Sequence, residues 1–245
     1  MHHKIYITSC LIHIGIIRRF DMNAKGTIYG VAKNSIAAAF GEERWNSFMN
    51  KLAEKDTYFS KMIMTITLIP AEKLIFLFDE MCKEFFNNDK MQYEMFGKVG
   101  AQYALWPEGT YKSYMLTKDI KQFVEFVIPK LWSTYWDGGK TTAKLENNVA
   151  HVKVTGIEIK NIYFEYFIMG YIQQAFKIFG KKTVVKKVRS IVSGDDDIYF
   201  QFELKDSWSE NMMRGVEDFR ALIAFITICN HVFSTGLGFL SYLSL

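Results

Sequence analysis

Histidine is missing where a histidine-based function would need it. The 245-residue chain has five histidines, and none falls between His13 and His151. Most general acid–base schemes draw on a histidine set among other polar groups, so the middle of the chain is poorly equipped for them. Cysteine is scarce as well. Cys10, Cys82 and Cys229 are widely spaced, odd in number and without a C-x-x-C pair, which argues against a disulfide framework or zinc site and fits a reducing compartment. No Gly-x-Ser-x-Gly, His-Glu-x-x-His or Ser/His/Asp arrangement is present. Gly138, Gly139, Lys140 and Thr141 match the tail of a phosphate loop, but the upstream glycine is absent and the stretch follows a helical pattern instead of opening one. Asp195, Asp196 and Asp197 lack the ligand spacing of a calcium loop and read as a solvated turn. Neither an enzyme nor a metal site is expected.

The chain does have bulk apolar and aromatic material. It is 49% hydrophobic and 23% charged, an ordinary globular balance, and 16% aromatic, with 21 Phe and 13 Tyr. Large flat side chains on this scale build a dense core or line a pocket for a flat or apolar ligand. Net charge is +4, with one basic cluster at Lys181, Lys182, Lys186, Lys187 and Arg189. No nucleic-acid motif or stacking platform accompanies it, so the cluster reads as a solvated strand face and no nucleic-acid partner is expected. Residues 1–21 read as an extension outside the domain, with an apolar run too short to cross a bilayer and no small-residue cleavage site. Residues 206–245 read as a linker and then a charge-free apolar segment from Ala221 to Leu245, long enough to span a membrane and tether a cytoplasmic domain. Asn230 and His231 near its middle would be costly in lipid.

Between these ends, residues 22–205 carry alternating structural signals. Helical spacing runs over Val31–Phe40 and Glu42–Ala53, with Gly41 as the break. Ala71–Phe86 places Leu74, Leu77, Phe78, Met81 and Phe85 on one face. After the turn at Asn87, Asn88 and Asp89, a helix runs from Lys90 to Trp106. Asp119 caps a further helical pattern to Trp136, which Pro129 must kink or break. The period then changes. Thr141–Glu146 and Val149–Ile157 form a hairpin about Asn147 and Asn148, a helix follows from Asn161 to Phe179, and Thr183–Val192 and Asp197–Lys205 form a second hairpin. The expected fold is α+β, a helical half followed by a β-β-α-β-β antiparallel sheet.

The opening Lys25-Gly26-Thr27-Ile28-Tyr29-Gly30, the paired helices about Gly41, and the all-helical half before β-β-α-β-β resemble the heme-NO-binding/4-vinyl-reductase superfamily. More remotely the layout resembles the tethering subunits of TRAPP complexes. Trp132-x-x-Tyr135 to Gly138, Gly170 in the long helix and Phe200-x-Phe202 resemble a heme-free branch best known from myxobacteria. The resemblance covers about residues 24 to 205 and implies a sensor domain. Heme-binding members hold iron through a histidine on a helix of the helical half and grip the propionates with Tyr-x-Ser-x-Arg. Neither feature transfers: the Asp119–Trp136 helix has no histidine, and Val154 to Glu158 has no Tyr, Ser or Arg. The resemblance therefore implies a non-enzymatic, heme-free sensor for an apolar or aromatic small molecule, acting on an effector protein or fused output domain, with homodimerisation in keeping. Candidate pocket residues are Trp45, Phe96, Tyr103, Trp132, Tyr135 and Tyr163. The alternatives are a heme-binding gas sensor with an atypical axial ligand, for which His151, Cys82 and Tyr103 are the candidates, and an interaction domain like the tethering subunits.

Overall fold

A computed structural model describes residues 22–106, 109–157 and 159–206. The expectations for residues 1–21 and 207–245, including the apolar segment from Ala221, fall outside that range. Among the described residues no helix is long and apolar enough to cross a membrane.

The helical half opens with a short strand, β1 (Asn23–Lys25), paired antiparallel to β2 (Leu68–Pro70). Helix α1 (Gly26–Phe40) starts five residues before the apolar spacing becomes readable at Val31. Lys25, its N-cap, makes no side-chain capping bond; the Gly26 amide instead donates to the Thr67 carbonyl at 2.7 Å. A tertiary contact therefore sets this helix start. Gly41, at φ +94°, breaks the chain before α2 (Glu42–Lys55). Helix α3 (Ala71–Phe86) buries Leu74, Leu77, Phe78, Met81 and Phe85, each adding roughly 1.5–3 kcal/mol of apolar burial. Left-handed Asn87 and Asn88 turn the chain, and the Asp89 carboxylate caps α4 (Lys90–Leu105) by accepting from the Met91 amide at 2.8 Å.

The Pro129 region shows how a break is accommodated. A single α-turn, α5 (Ile120–Gln122), is capped by Asp119 and passes into a π-helical turn at Phe123–Val127 before α6 (Ile128–Tyr135). Pro129 has no N–H with which to satisfy the Glu125 carbonyl in α geometry. The ladder widens just before it, and the Ile128 amide donates to the Phe123 carbonyl.

The second half is a four-stranded antiparallel sheet in the order β3 (Lys140–Glu146), β4 (Val149–Thr155), β6 (Asp197–Asp206), β5 (Lys181–Arg189). Positive φ at both Asn147 and Asn148 makes the tight first hairpin. Helix α7 (Ile162–Ile178), capped by Asn161 through the Phe164 amide at 2.9 Å, links the hairpins and ends before left-handed Gly180. Ala150, Val152, Val154, Ile198, Phe200, Phe202 and Leu204 are all buried on one sheet face. Phe176 of α7 meets Phe202 there at 5.5 Å between centroids.

Two charged positions depart from expectation. Lys187 shares the inward sheet face with Thr183 and Val185, because strand alternation puts it opposite Phe200. It pairs at 2.8 Å with Glu165, a fully buried residue of α7. Asp197 leaves the solvated-turn reading as well: it is buried and pairs with Lys153 at 3.0 Å and Arg189 at 2.7 Å.

Candidate functional site

Helices α1, α6 and α7 meet over the start of the sheet without closing completely. The remaining cavity has a volume of about 60 Å³. Ile28 and Val31 of α1 form one wall, Ile128, Leu131, Trp132 and Tyr135 of α6 a second, and Phe164, Phe167, Ile168 and Tyr171 of α7 a third, with Thr141 of β3 and Val154 of β4 at the sheet end. The π turn preceding α6 and the β1 strand hold the α6 wall. Asn23 donates to both carboxylate oxygens of Asp137, Lys25 donates to the Ser133 carbonyl at 2.7 Å, and Ala24 bridges to Trp136.

The lining is almost entirely apolar, so its few polar atoms stand out. The Trp132 ring N–H donates to the Gly138 carbonyl at 3.0 Å, and the ring stacks on Trp136 at 5.5 Å. The Tyr135 and Tyr171 hydroxyls are hydrogen-bonded to each other at 2.8 Å. Burial raises both phenols well above the ordinary tyrosine value, with their mutual contact a smaller influence. Thr141 differs, being buried with a hydroxyl that has no hydrogen-bond partner among the described residues. An orphaned hydroxyl of this kind costs about 1–3 kcal/mol. The residue lines the cavity but its hydroxyl lies beneath the surface, so a ligand atom reaches it only when neighbouring side chains shift.

Of the six pocket residues expected from sequence, only Trp132 and Tyr135 line this cavity. Trp45 is buried between Tyr29 and Phe48, where α1 meets α2. Phe96 belongs to an aromatic cluster with Phe78, Phe86, Tyr93 and Phe167. Tyr103 lies on the exposed side of α4, and Tyr163 packs on Tyr93 and donates to the Asn88 carbonyl at 3.3 Å. Sequence reasoning missed Tyr171, Ile28, Val31 and Thr141. A helical-wheel signal was available for Tyr171 and Val31, but Ile28 precedes the readable spacing of its helix and Thr141 was hidden in a stretch resembling a broken phosphate loop.

None of the three axial candidates faces the cavity. His151 lies on the open face of the sheet, its Nδ1 2.6 Å from the Tyr199 hydroxyl, beside Lys153 and Arg189. Tyr103 is on the surface. Cys82 is buried in α3, and burial pushes its thiol up to about 11. At pH 8 this leaves on the order of 100-fold less thiolate than an ordinary cysteine would have. Alkylation of the native protein by iodoacetamide, followed on the peptide carrying Cys82, should therefore lag by about that factor and become fast only in denaturant. Native-rate labelling equal to that of a free thiol would contradict this burial.

The cavity does not fit a heme. Pockets for ligands of drug size run to roughly 300–1,000 Å³, several times the space here. Among the described residues the lining contains no histidine, cysteine or methionine, and no cation that could hold a propionate. Burial disfavours the phenolate form of its two tyrosines, the form in which tyrosine ligates iron.

No family model matches the chain, and no curated protein does either. Solved structures do match. A crystal structure of an H-NOX protein from S. oneidensis in the Fe(II)NO ligation state aligns with a TM-score of 0.55 at 15% identity, covering 74% of this chain and 99% of that one. An oxygen-binding H-NOX domain related to soluble guanylate cyclases, solved as the oxygen complex, aligns at 0.54 and 16% identity, covering 74% and 95%. The chain therefore has the H-NOX fold, an α+β architecture with an N-terminal helical half. At this identity the match defines the fold alone.

Proposed function

We propose that this domain is a non-enzymatic sensor of the heme-free kind, whose signal is a small apolar molecule bearing one hydrogen-bonding atom. The observation that carries the reading is the largely apolar cavity among α1, α6 and α7, beside which the Thr141 hydroxyl is left without a hydrogen-bond partner among the described residues. Its size sets the ligand class. A dry engineered cavity of about 150 Å³ admits benzene, so about 60 Å³ takes a molecule of a few heavy atoms, and an aromatic ring enters only if side chains move. The fold is in keeping with this role, since the matched H-NOX structures include one solved as an oxygen complex. Val31 gives a route outward. It lines the cavity, and its methyl group also stands 3.2 Å from where a Cβ on Gly100 of α4 would lie. A ligand that displaces Val31 presses α1 against α4 and changes the surface offered to an effector protein or fused output domain.

Methyl NMR tests the reading, with xenon as a purely apolar probe and C3–C5 alcohols and ketones as probes carrying one polar atom. Ile28, Ile128, Ile168 and Ile172 should shift on titration, while Ile36 and Ile69, buried elsewhere, stay put. Thr141→Val should weaken the polar probes by about 10-fold, leave xenon unchanged, and raise stability by roughly 1 kcal/mol because the orphaned hydroxyl is gone. Silence at all four cavity methyls would refute the proposal. A Soret band at one heme per chain, after expression with added heme, would favour the atypical heme sensor instead.

A further inference from the structure

The core lies on one face of the four-stranded sheet, and strand register sets out what the other face carries. Thr142, Lys153, Tyr199 and Arg189 stand side by side across all four strands, and Lys144, His151, Gln201 and Lys186 form the next row. The two rows hold four cations and a histidine but no carboxylate. Arg189 owes its place to an irregularity: the register slips between Lys187 and Arg189, and in an unbroken ladder Val188 would stand opposite Tyr199. Bulges that re-aim a side chain in this way gather beside functional sites.

The charge on these rows is incompletely matched. Asp197, buried in the row beyond, is shared by Lys153 at 3.0 Å and Arg189 at 2.7 Å and can neutralise only one of them. Glu146 holds Lys144 at 2.6 Å, and Lys186 has no ion-pair partner among the described residues. The Arg189 guanidinium lies against the Tyr199 ring, 5.1 Å from its centroid, and makes no hydrogen bond among the described residues; its Nε sits by Asp197 without aiming its N–H at the carboxylate. Gln201 donates to the Tyr199 hydroxyl at 3.1 Å, which leaves that hydroxyl's own proton for the His151 Nδ1 and the imidazole proton on Nε2. Guanidinium and imidazole donors are thus left without acceptors on one floor.

Over this floor lies an open cleft of about 780 Å³, within the size range of small-ligand sites. It runs from Arg189 on β5 to Phe126 of the π turn beside β3, three strand spacings or about 14 Å. Phe126 is 70% exposed and offers a bare aromatic face at that rim. Glu125, the one carboxylate in the lining among the described residues, sits at the same rim, where it accepts from the Leu145 amide at 3.4 Å. Negative charge is therefore favoured at the Arg189 end and disfavoured at the Phe126 end. We propose that the cleft binds an organic phosphate of nucleotide length, with its phosphate on Arg189, Lys153 and His151 and its flat ring against Phe126. Lys186 is unmatched and Asp197 offsets only one of its two cations, so the floor has nearly the two positive charges that a phosphate monoester requires at neutral pH. A guanidinium fork is the side chain best shaped to hold phosphate oxygens.

Amide NMR of the full 245-residue chain at low salt tests this with adenosine monophosphate, adenosine and inorganic phosphate. The nucleotide should shift Lys153, Arg189 and Tyr199 with a Kd below about 1 mM, inorganic phosphate should shift the same amides about 10-fold more weakly, and adenosine should leave them in place. Phe126→Ala should weaken the nucleotide by about 5-fold and inorganic phosphate not at all. Arg189→Gln should weaken both by roughly 10-fold. Lys186→Gln, at an exposed position with no ion pair to lose, should weaken both by about 3-fold and keeps the test open if Arg189→Gln fails to fold. Lys182→Gln removes the same charge from the same strand, two rows further along, and should change nothing. A nucleotide that shifts none of these amides up to about 10 mM overturns the proposal. So does adenosine binding as tightly as the nucleotide, or equal weakening by Lys182→Gln and Lys186→Gln, which would mean diffuse attraction to a basic surface. The methyl groups of Ile128 and Ile168 report the internal cavity separately, so none of these results bears on it.

Discussion

Gly170→Val is expected to destabilise the domain by roughly 3–5 kcal/mol, a large share of the 5–15 kcal/mol available to a domain. Helices α4 and α7 run side by side in the same direction, with Tyr93 beside Tyr163 and Gln102 bonded to Gln174 at 2.6 Å. They touch through backbone. A Cβ on Gly170 would lie 2.0 Å from the Glu94 carbonyl oxygen, and one on Gly97 would lie 2.1 Å from the Phe167 carbonyl oxygen. Neither oxygen belongs to a side chain that can turn away, so the helices must separate. Separation would pull Phe167 out of its cluster with Phe78 and Phe96. Thermal denaturation followed by circular dichroism should show a midpoint about 10 °C lower, or more. Gly30→Ala is the matched control: it lies inside α1 with nothing within 4 Å of a new Cβ, and should gain roughly 0.5–1 kcal/mol from a stiffer helix. If Gly170→Val lost less than about 1 kcal/mol, the close packing of α4 on α7 would be wrong.

Glu165→Ala should be comparably damaging, at about 3–5 kcal/mol in equilibrium urea unfolding. The Glu165 carboxylate is fully buried and accepts from Ser190 at 2.8 and 2.9 Å, from Lys187 at 2.8 Å and from the Val192 amide at 3.4 Å. Removing it leaves a largely covered ammonium and a buried hydroxyl without their partner, and that penalty exceeds any loss of attraction. Glu165→Met combined with Lys187→Met should recover much of the loss, because neither half of the pair is then left alone. Additive costs in the double variant would show that the two residues do not form one buried unit. Phe164, Phe167 and Ile168 line the cavity from the same helix, so loosening this knot should also disturb the methyl signals of Ile168 and Ile172.

The elements with their own periodicity are legible in the sequence. The five-residue apolar face of α3, the Asp119 cap, the Asn147–Asn148 turn and the alternation of Ile198, Phe200, Phe202 and Leu204 all stand where the sequence puts them. Starts and exceptions that depend on distant chain are not. Helix α1 begins at Gly26 because of Thr67, and Lys187 turns inward to Glu165 although it sits in a basic run that reads as solvated. The candidate site is half legible. Trp132 and Tyr135 are aromatic and lie on a helix that walls the cavity, while Tyr103, equally aromatic and helical, lies on α4 and faces outward.

By itself the sequence determined the order of elements, the lack of a histidine between His13 and His151, and the wealth of aromatic side chains. Each of these is local or compositional. Only the tertiary structure decided that Tyr171 closes on Tyr135, that Thr141 is left without a partner among the described residues, and that the cavity is about 60 Å³. The reason is physical: periodicity assigns a residue to a face of its own helix or strand. What that face meets, how closely, and which hydroxyl goes unsatisfied are set by the packing of elements far apart in the chain.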